Sequence, residues 1–202
     1  ITIGDWLDRV AGVLDVWYPG EQGGTAVADV LLGTADPAGR LPVTFPVFEG
    51  QLPLVYDHEP TGRGDDYADL TGRPLFPFGY GLSYTSFGYS ALTMTPDTVA
   101  ADGVAHVSCR LTNTGARAGD EVVQLYLHQE LSPISRPVMQ LAGFARVHLA
   151  PGESRDLSFT LDSAQLGALD PSLRRTVEPG AYRIMIGASS ADIRLRGFLE
   201  VR

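Results

Sequence analysis

The 202-residue sequence contains no lysine and only one cysteine, and each shortage removes a class of explanation. All 15 basic residues are arginine, set against 24 acids, for a formal charge of −9. Such a chain has no basic footprint with which to hold nucleic acid or an anionic membrane surface, so neither is expected as a partner. Codon usage in a GC-rich bacterial genome explains arginine in place of lysine better than a demand for guanidinium chemistry does. With Cys109 alone, no internal disulfide can form, and the redox compartment stays open. No apolar run is long enough to span a bilayer. The opening ITIGDWLDRV has acids where a signal peptide needs an apolar core. Cytoplasmic and secreted placements both remain open.

What is present divides into three stretches: 1–46, 47–90 and 91–202. In the first, AGVLDVWY (11–18) is a short apolar run of the kind expected for a strand buried on both faces. After the turn PGEQGG, residues 25–32 place Val27, Val30 and Leu31 on one helical face, and Gly33 fits the left-handed position just beyond a helix end. Turn-formers at Asp36-Pro37-Ala38-Gly39 lead into a second short apolar strand, 41–45. One helix between two strands cannot cover both faces of a parallel sheet, so this unit is expected to be the remnant of a larger α/β domain whose other elements precede Ile1.

Residues 47–90 are rich in Gly, Pro, Asp and Tyr and keep no period. Within them, PLFPFGYGLSYTSF packs five aromatics into fourteen positions, which marks a segment pinned by its rings against a surface. Beyond Ser90 the pattern becomes strict alternation. Ala105, Val107, Cys109 and Leu111 point one way and His106, Ser108 and Arg110 the other; Val123, Leu125 and Leu127 repeat the pattern. With further strands over 139–149, 155–161, 181–188 and 193–201, and Pro-Gly turns at 151–152 and 179–180, the spacing predicts a sandwich. The fold class is therefore an α/β fragment followed by an all-β immunoglobulin-like (fibronectin type III-like) sandwich.

Three blocks in order, WYPGEQGGTAVADVLLGTADPAGRLPVTFP, PLFPFGYGLSYTSFGYS, and GDEVVQLYLH with SRPVMQLAGFARVHLAPGES and VEPGAYRIMIGASSADIRL, resemble the C-terminal part of family 3 glycoside hydrolases, the β-glucosidase and β-xylosidase group. The resemblance covers nearly the whole chain. It implies a three-part enzyme of barrel, α/β sandwich and fibronectin-like domain, with this chain as the end of the second part and all of the third. It further implies a retaining, exo-acting β-glycosidase of the β-glucosidase type, acting on β-linked oligosaccharides or glycosides, with two carboxyl groups ~5 Å apart. In the family the nucleophile is an Asp of the barrel and the acid/base a Glu well upstream of the WYPGEQGG-like motif. Neither maps onto these residues, so no catalytic residue is assigned, and no cofactor is implied.

Candidate residues at a substrate entrance or domain interface are Glu21, Gln22, Asp57, Arg63, Tyr67, Phe78, Tyr80 and Tyr84. Glu21 and Gln22 sit where α/β folds place ligand-binding groups; the plainer and preferred reading is that Glu21 serves the helix's free N–H groups and dipole. The acids of YDHEPTGRGDDYADL lack the calcium-loop pattern, so a solvated loop beside the substrate entrance is preferred to a metal site. Phe76, Phe78, Tyr80 and Tyr84 can stack on sugar rings, but locking the connecting segment between domains is the stronger expectation. The four histidines show no metal-ligand spacing. A non-catalytic sandwich module binding carbohydrate or protein is the alternative; the α/β remnant, which such a module has no reason to keep, speaks against it.

Overall fold

The computed structural model describes residues 2–61 and 65–202. Its core is a two-layer sandwich. One layer is a three-stranded sheet in the order β1–β3–β6, formed by Phe87–Thr95, Ala105–Asn113 and Ser154–Leu161. The other is five-stranded in the order β2–β10–β9–β4–β5, formed by Thr98–Val99, Ile193–Val201, Gly180–Gly187, Gly119–Gln129 and Gln140–Leu149. All pairings are antiparallel except β2 with β10. A small hairpin, β7 (Ala168–Leu169) with β8 (Arg175–Thr176), follows the short helix α3 (Ser163–Leu166).

The alternation read from sequence decides which faces meet. Ala105, Val107, Cys109 and Leu111 of β3 are all but sealed from solvent and share one cluster with Val123, Leu125 and Leu127 of β4 and Tyr182, Ile184 and Ile186 of β9. Each of the valine, leucine and isoleucine side chains among them contributes about 1.5–3 kcal/mol through burial. On the opposite side of β3, Ser108 meets Ser158 at 3.2 Å and Arg110 meets Asp156 at 2.8 Å, a hydrated face. Asn113 closes the end of β3: its Nδ2 donates to the Arg117 and Leu149 carbonyls at 2.8 and 2.9 Å, and its Oδ1 accepts from Thr85 and the Gly115 amide.

Cys109 is 2% exposed, and desolvation pushes its thiol up to about 11. At neutral pH it is a protonated, inert side chain. We expect no reaction with a thiol reagent at pH 8 in the native protein and one thiol per chain after denaturation, counted by absorbance.

The first stretch is different. The helices α1 (Gly4–Leu7) and α2 (Gly23–Leu32) are joined by residues 8–22, of which 11–18 form no strand and are exposed throughout. The expected doubly buried strand is therefore absent: no neighbouring strand among the described residues supplies its ladder bonds, and an apolar run alone does not make a strand. Residues 41–45 likewise form no parallel strand. Phe45 makes a lone antiparallel bridge with Phe76, and Leu41 exchanges backbone hydrogen bonds with Gly79 and Tyr80 at 2.8 Å. Helix α2 ends at Gly33, whose φ of 74° is left-handed and whose N–H returns to the last turn, as its sequence position implied.

β4 is buried on both faces, although a sandwich strand normally buries one. The cover on its outer face is the connecting segment. Tyr56 stacks on Phe78 with centroids 4.2 Å apart and meets Tyr126 of β4 edge-to-face at 5.9 Å. β1 begins at Phe87, directly after the aromatic run.

Candidate functional site

The side chains that join the first stretch to the sandwich gather at the C-terminal end of α2. Asp36 accepts from Ser83 Oγ at 2.8 Å, from the Tyr84 amide at 2.7 Å and from the Asp120 amide at 3.1 Å. Tyr84 Oη donates to the Val30 carbonyl at 2.8 Å, and Arg117 donates to the Gly33 carbonyl while lying 5.4 Å over the Tyr84 ring. The last carbonyls of a helix have no partner within it and carry its negative pole. Here both needs are met from outside the helix, by Tyr84 of the connecting segment and Arg117 of the sandwich.

Below this joint, Arg40 enters the end of the sandwich and pairs with Glu121 at 2.8 Å, the two side chains being 8% and 7% exposed. Glu121 lies on the inward face of β4 and also accepts from the Val122 amide. Tyr89 lies close by on β1; burial, then the Glu121 charge, drives its phenol well above the usual range. Asp120, one residue earlier on the outward face, takes Arg146 Nε at 2.7 Å and His148 Nδ1 at 2.5 Å. Partial burial works to raise its pKa, but these two hydrogen bonds outweigh it and hold the carboxyl below its ordinary value.

A second cluster secures the connecting segment. Buried Gln124 of β4 donates to the Gly79 and Ala188 carbonyls at 3.1 and 2.6 Å and accepts from Tyr126 Oη at 2.5 Å. Gln51, at the end of a 3₁₀ turn (Glu49–Gln51), accepts from the Val47 amide at 2.6 Å and donates to the carbonyls of Thr71 and Arg73 at 3.0 and 3.1 Å.

The residues singled out in sequence do not form one site. Phe78 lies on Tyr56, and Tyr80 stacks on Phe76 at 4.9 Å. Tyr84 belongs to the joint. Tyr67 is exposed, its ring edge-on to Phe48 at 5.9 Å, and Asp57 is exposed in the loop before it. Arg63 lies outside the described residues. Glu21 and Gln22 are exposed at the other end of α2, about 12–15 Å from the Tyr84 contact by helix rise. Gln22 is the N-cap residue and makes no side-chain capping bond, and the first turn holds no acid. Among the described residues no group of three or more His, Cys, Asp or Glu side chains is arranged to hold a metal ion. Sequence reasoning passed over Asp36, Arg40, Gln51, Arg117, Glu121 and Gln124. Only Gln124 carried a signal, an amide flanked by apolar residues in EVVQLYLH.

Comparison with known proteins agrees with this architecture. Residues 1–84 match the glycosyl hydrolase family 3 C-terminal domain, and residues 121–190 match the fibronectin type III-like domain. A periplasmic β-glucosidase of Salmonella typhimurium is 40% identical over 92% of the chain and 26% of its own length. A β-xylosidase of Formosa agariphila is 41% identical over 94% of the chain and 27% of its own length. Among solved structures, a β-glucosidase from Erythrobacter marinus superposes with a TM-score of 0.93 at 40% identity, over 98% of this chain and 26% of that one. The chain belongs to glycoside hydrolase family 3, carrying that family's C-terminal domain and fibronectin-like sandwich. It spans about a quarter of the length of the curated relatives it matches.

Proposed function

We propose that the chain is the C-terminal portion of a retaining, exo-acting β-glycosidase of the β-glucosidase type, and that its role is structural: to complete an α/β domain and fasten it to the sandwich. The observation that carries this is the contrast between the two halves. The sandwich seals its own core, whereas Val13, Leu14, Val16, Trp17, Leu31 and Leu32 stand exposed along residues 11–32, Leu32 by 82%. An apolar surface of this extent in a globular chain marks a contact with further polypeptide. Its occupant in this reading is the remainder of the α/β domain, to which residues 11–18 add a strand. The named relatives support the chemistry, and the Asp36, Tyr84 and Arg117 contacts supply the stiffness with which a distant acid/base loop is held to the ~0.5 Å tolerance of an active site.

The test is turnover of an aryl β-glucoside. This chain alone is expected to give none, and the longer polypeptide to which this reading assigns it is expected to hydrolyse the substrate with retention of configuration. Saturable hydrolysis by the 202-residue chain, lost in Glu21→Gln, would overturn the assignment.

A further inference from the structure

A cavity between the connecting segment and the five-stranded sheet takes no part in the joint described above. It encloses about 180 Å³. Pockets for drug-sized ligands begin at about 300 Å³, so the space suits something on the scale of one sugar ring. Its apolar lining includes Leu54, Pro77, Phe78 and Met139. Its polar lining is made by Thr44, His58, Asp65, Arg73 and Ser190.

The polar groups decide what the cavity can take. His58 Nδ1 lies 3.0 Å from the Glu59 carbonyl, an acceptor, so that nitrogen donates, and Nε2 is left to pair with a ligand. Asp65 Oδ2 is 3.9 Å from Nε2, too far for a hydrogen bond, and among the described residues the Asp65 carboxylate accepts no hydrogen bond. Among the described residues, the Arg73 guanidinium and the Thr44 and Ser190 hydroxyls make no hydrogen bond or ion pair; Arg73 lies only within electrostatic reach of Asp66. Among the described residues, donors and acceptors without partners thus share the lining with apolar groups that include an aromatic side chain.

A simple anion is opposed by Asp65, and a purely apolar molecule strands the polar lining groups without partners. A pyranose satisfies both parts: each hydroxyl donates and accepts, and one face of the ring is C–H. We propose that this cavity is a non-catalytic binding site for a single pyranose unit of a β-glycoside, with the ring over Phe78 and its hydroxyls between Arg73, Asp65 and His58. The loop 55–61 that frames it is itself fixed to the sandwich, the His58 carbonyl accepting from the Val138 amide at 3.0 Å and Glu59 accepting from Ser135 Oγ.

The experiment is an amide NMR titration of this chain with methyl β-D-glucopyranoside, with sodium acetate as the parallel probe for an anion site. Binding does not require turnover, so failure here is distinguishable from failure of the hydrolase assignment. We expect saturable shifts centred on Phe78, Met139 and Ser190 with a dissociation constant of about 1–10 mM. Arg73→Ala, at an exposed position, is expected to weaken binding about five- to tenfold, the effect of one or two hydrogen bonds lost, with an unchanged melting temperature. The proposal is overturned by shifts that stay unsaturated to about 50 mM glycoside, by equal shifts with acetate, or by a titration that Arg73→Ala leaves unaltered.

Discussion

Glu121→Ala is expected to destabilise the protein by about 3–5 kcal/mol, the cost of leaving a buried cation without its partner. The reason lies in where Arg40 ends. Its side chain is 8% exposed and, among the described residues, its only charged partner is Glu121, itself 7% exposed, while Arg40 Nε lies buried with no acceptor among them. Removing the carboxylate leaves a guanidinium that must either stay unpaired in the end of the sandwich or withdraw, taking residues 33–46 with it. At about 2–4 °C per kcal/mol for a chain of this size, the melting temperature should fall by about 10 °C. The double replacement Arg40→Met with Glu121→Leu separates pair from position. Removing both charges together is often close to neutral, so the double variant should recover most of what the single one loses. A loss under about 1 kcal/mol in Glu121→Ala would show the pair to behave like an exposed one, worth little.

That pair also shows why the joint was hidden from sequence reasoning. Arg40 and Glu121 are 81 positions apart, and Asp36 reaches Ser83 and Asp120 across 47 and 84 positions. Nothing local marks them: Asp36 sits in ADPAG and reads as a turn, and Glu121 reads as the first residue of a strand. Their roles exist only once the chain has closed. The sandwich, in contrast, was legible because burial there has the period of the backbone itself, so that Val107, Cys109 and Leu111 declare their face without knowledge of their neighbours. β1 lacked that signal. Its burial pattern is irregular, and Ala91 at φ 54° interrupts it where the pairing with β3 shifts register between Ser90 and Thr93. Residues 11–18 failed in the opposite sense. Their composition is that of a strand, but a strand is a relation between segments, and none of the described residues pairs with them. The candidate residues divide the same way. Phe78 and Tyr80 stand in a segment whose aromatic density was visible, whereas the face of β4 they rest on becomes an interface only through Gln124 and Tyr126.

The second large effect is expected at the center of that interface, in Gly79→Ala. Gly79 has a φ of 79°, a conformation that costs an L-residue about 1–2 kcal/mol. A Cβ added there would also overlap the carboxamide of Gln124, with its Cδ at 2.8 Å and Nε2 at 2.9 Å. Gln124 cannot swing aside freely, because it holds the Gly79 and Ala188 carbonyls and the Tyr126 hydroxyl at once. Overpacking of this kind adds about 1–3 kcal/mol, so the whole loss is about 2–5 kcal/mol. Gly152→Ala is the matched control. Its φ is 75°, nearly the same, yet nothing lies within 4 Å of the added Cβ, so it carries the conformational part alone. Denaturant unfolding of both variants isolates the clash as their difference. If Gly79→Ala costs no more than Gly152→Ala, the Gln124 cluster yields without penalty and the connecting segment is not held on β4 in the way the structure shows. If it costs more, amide exchange should also quicken across residues 74–80 and at the Gly79 and Leu41 pair, because the strap that covers the outer face of β4 is what the added methyl group displaces.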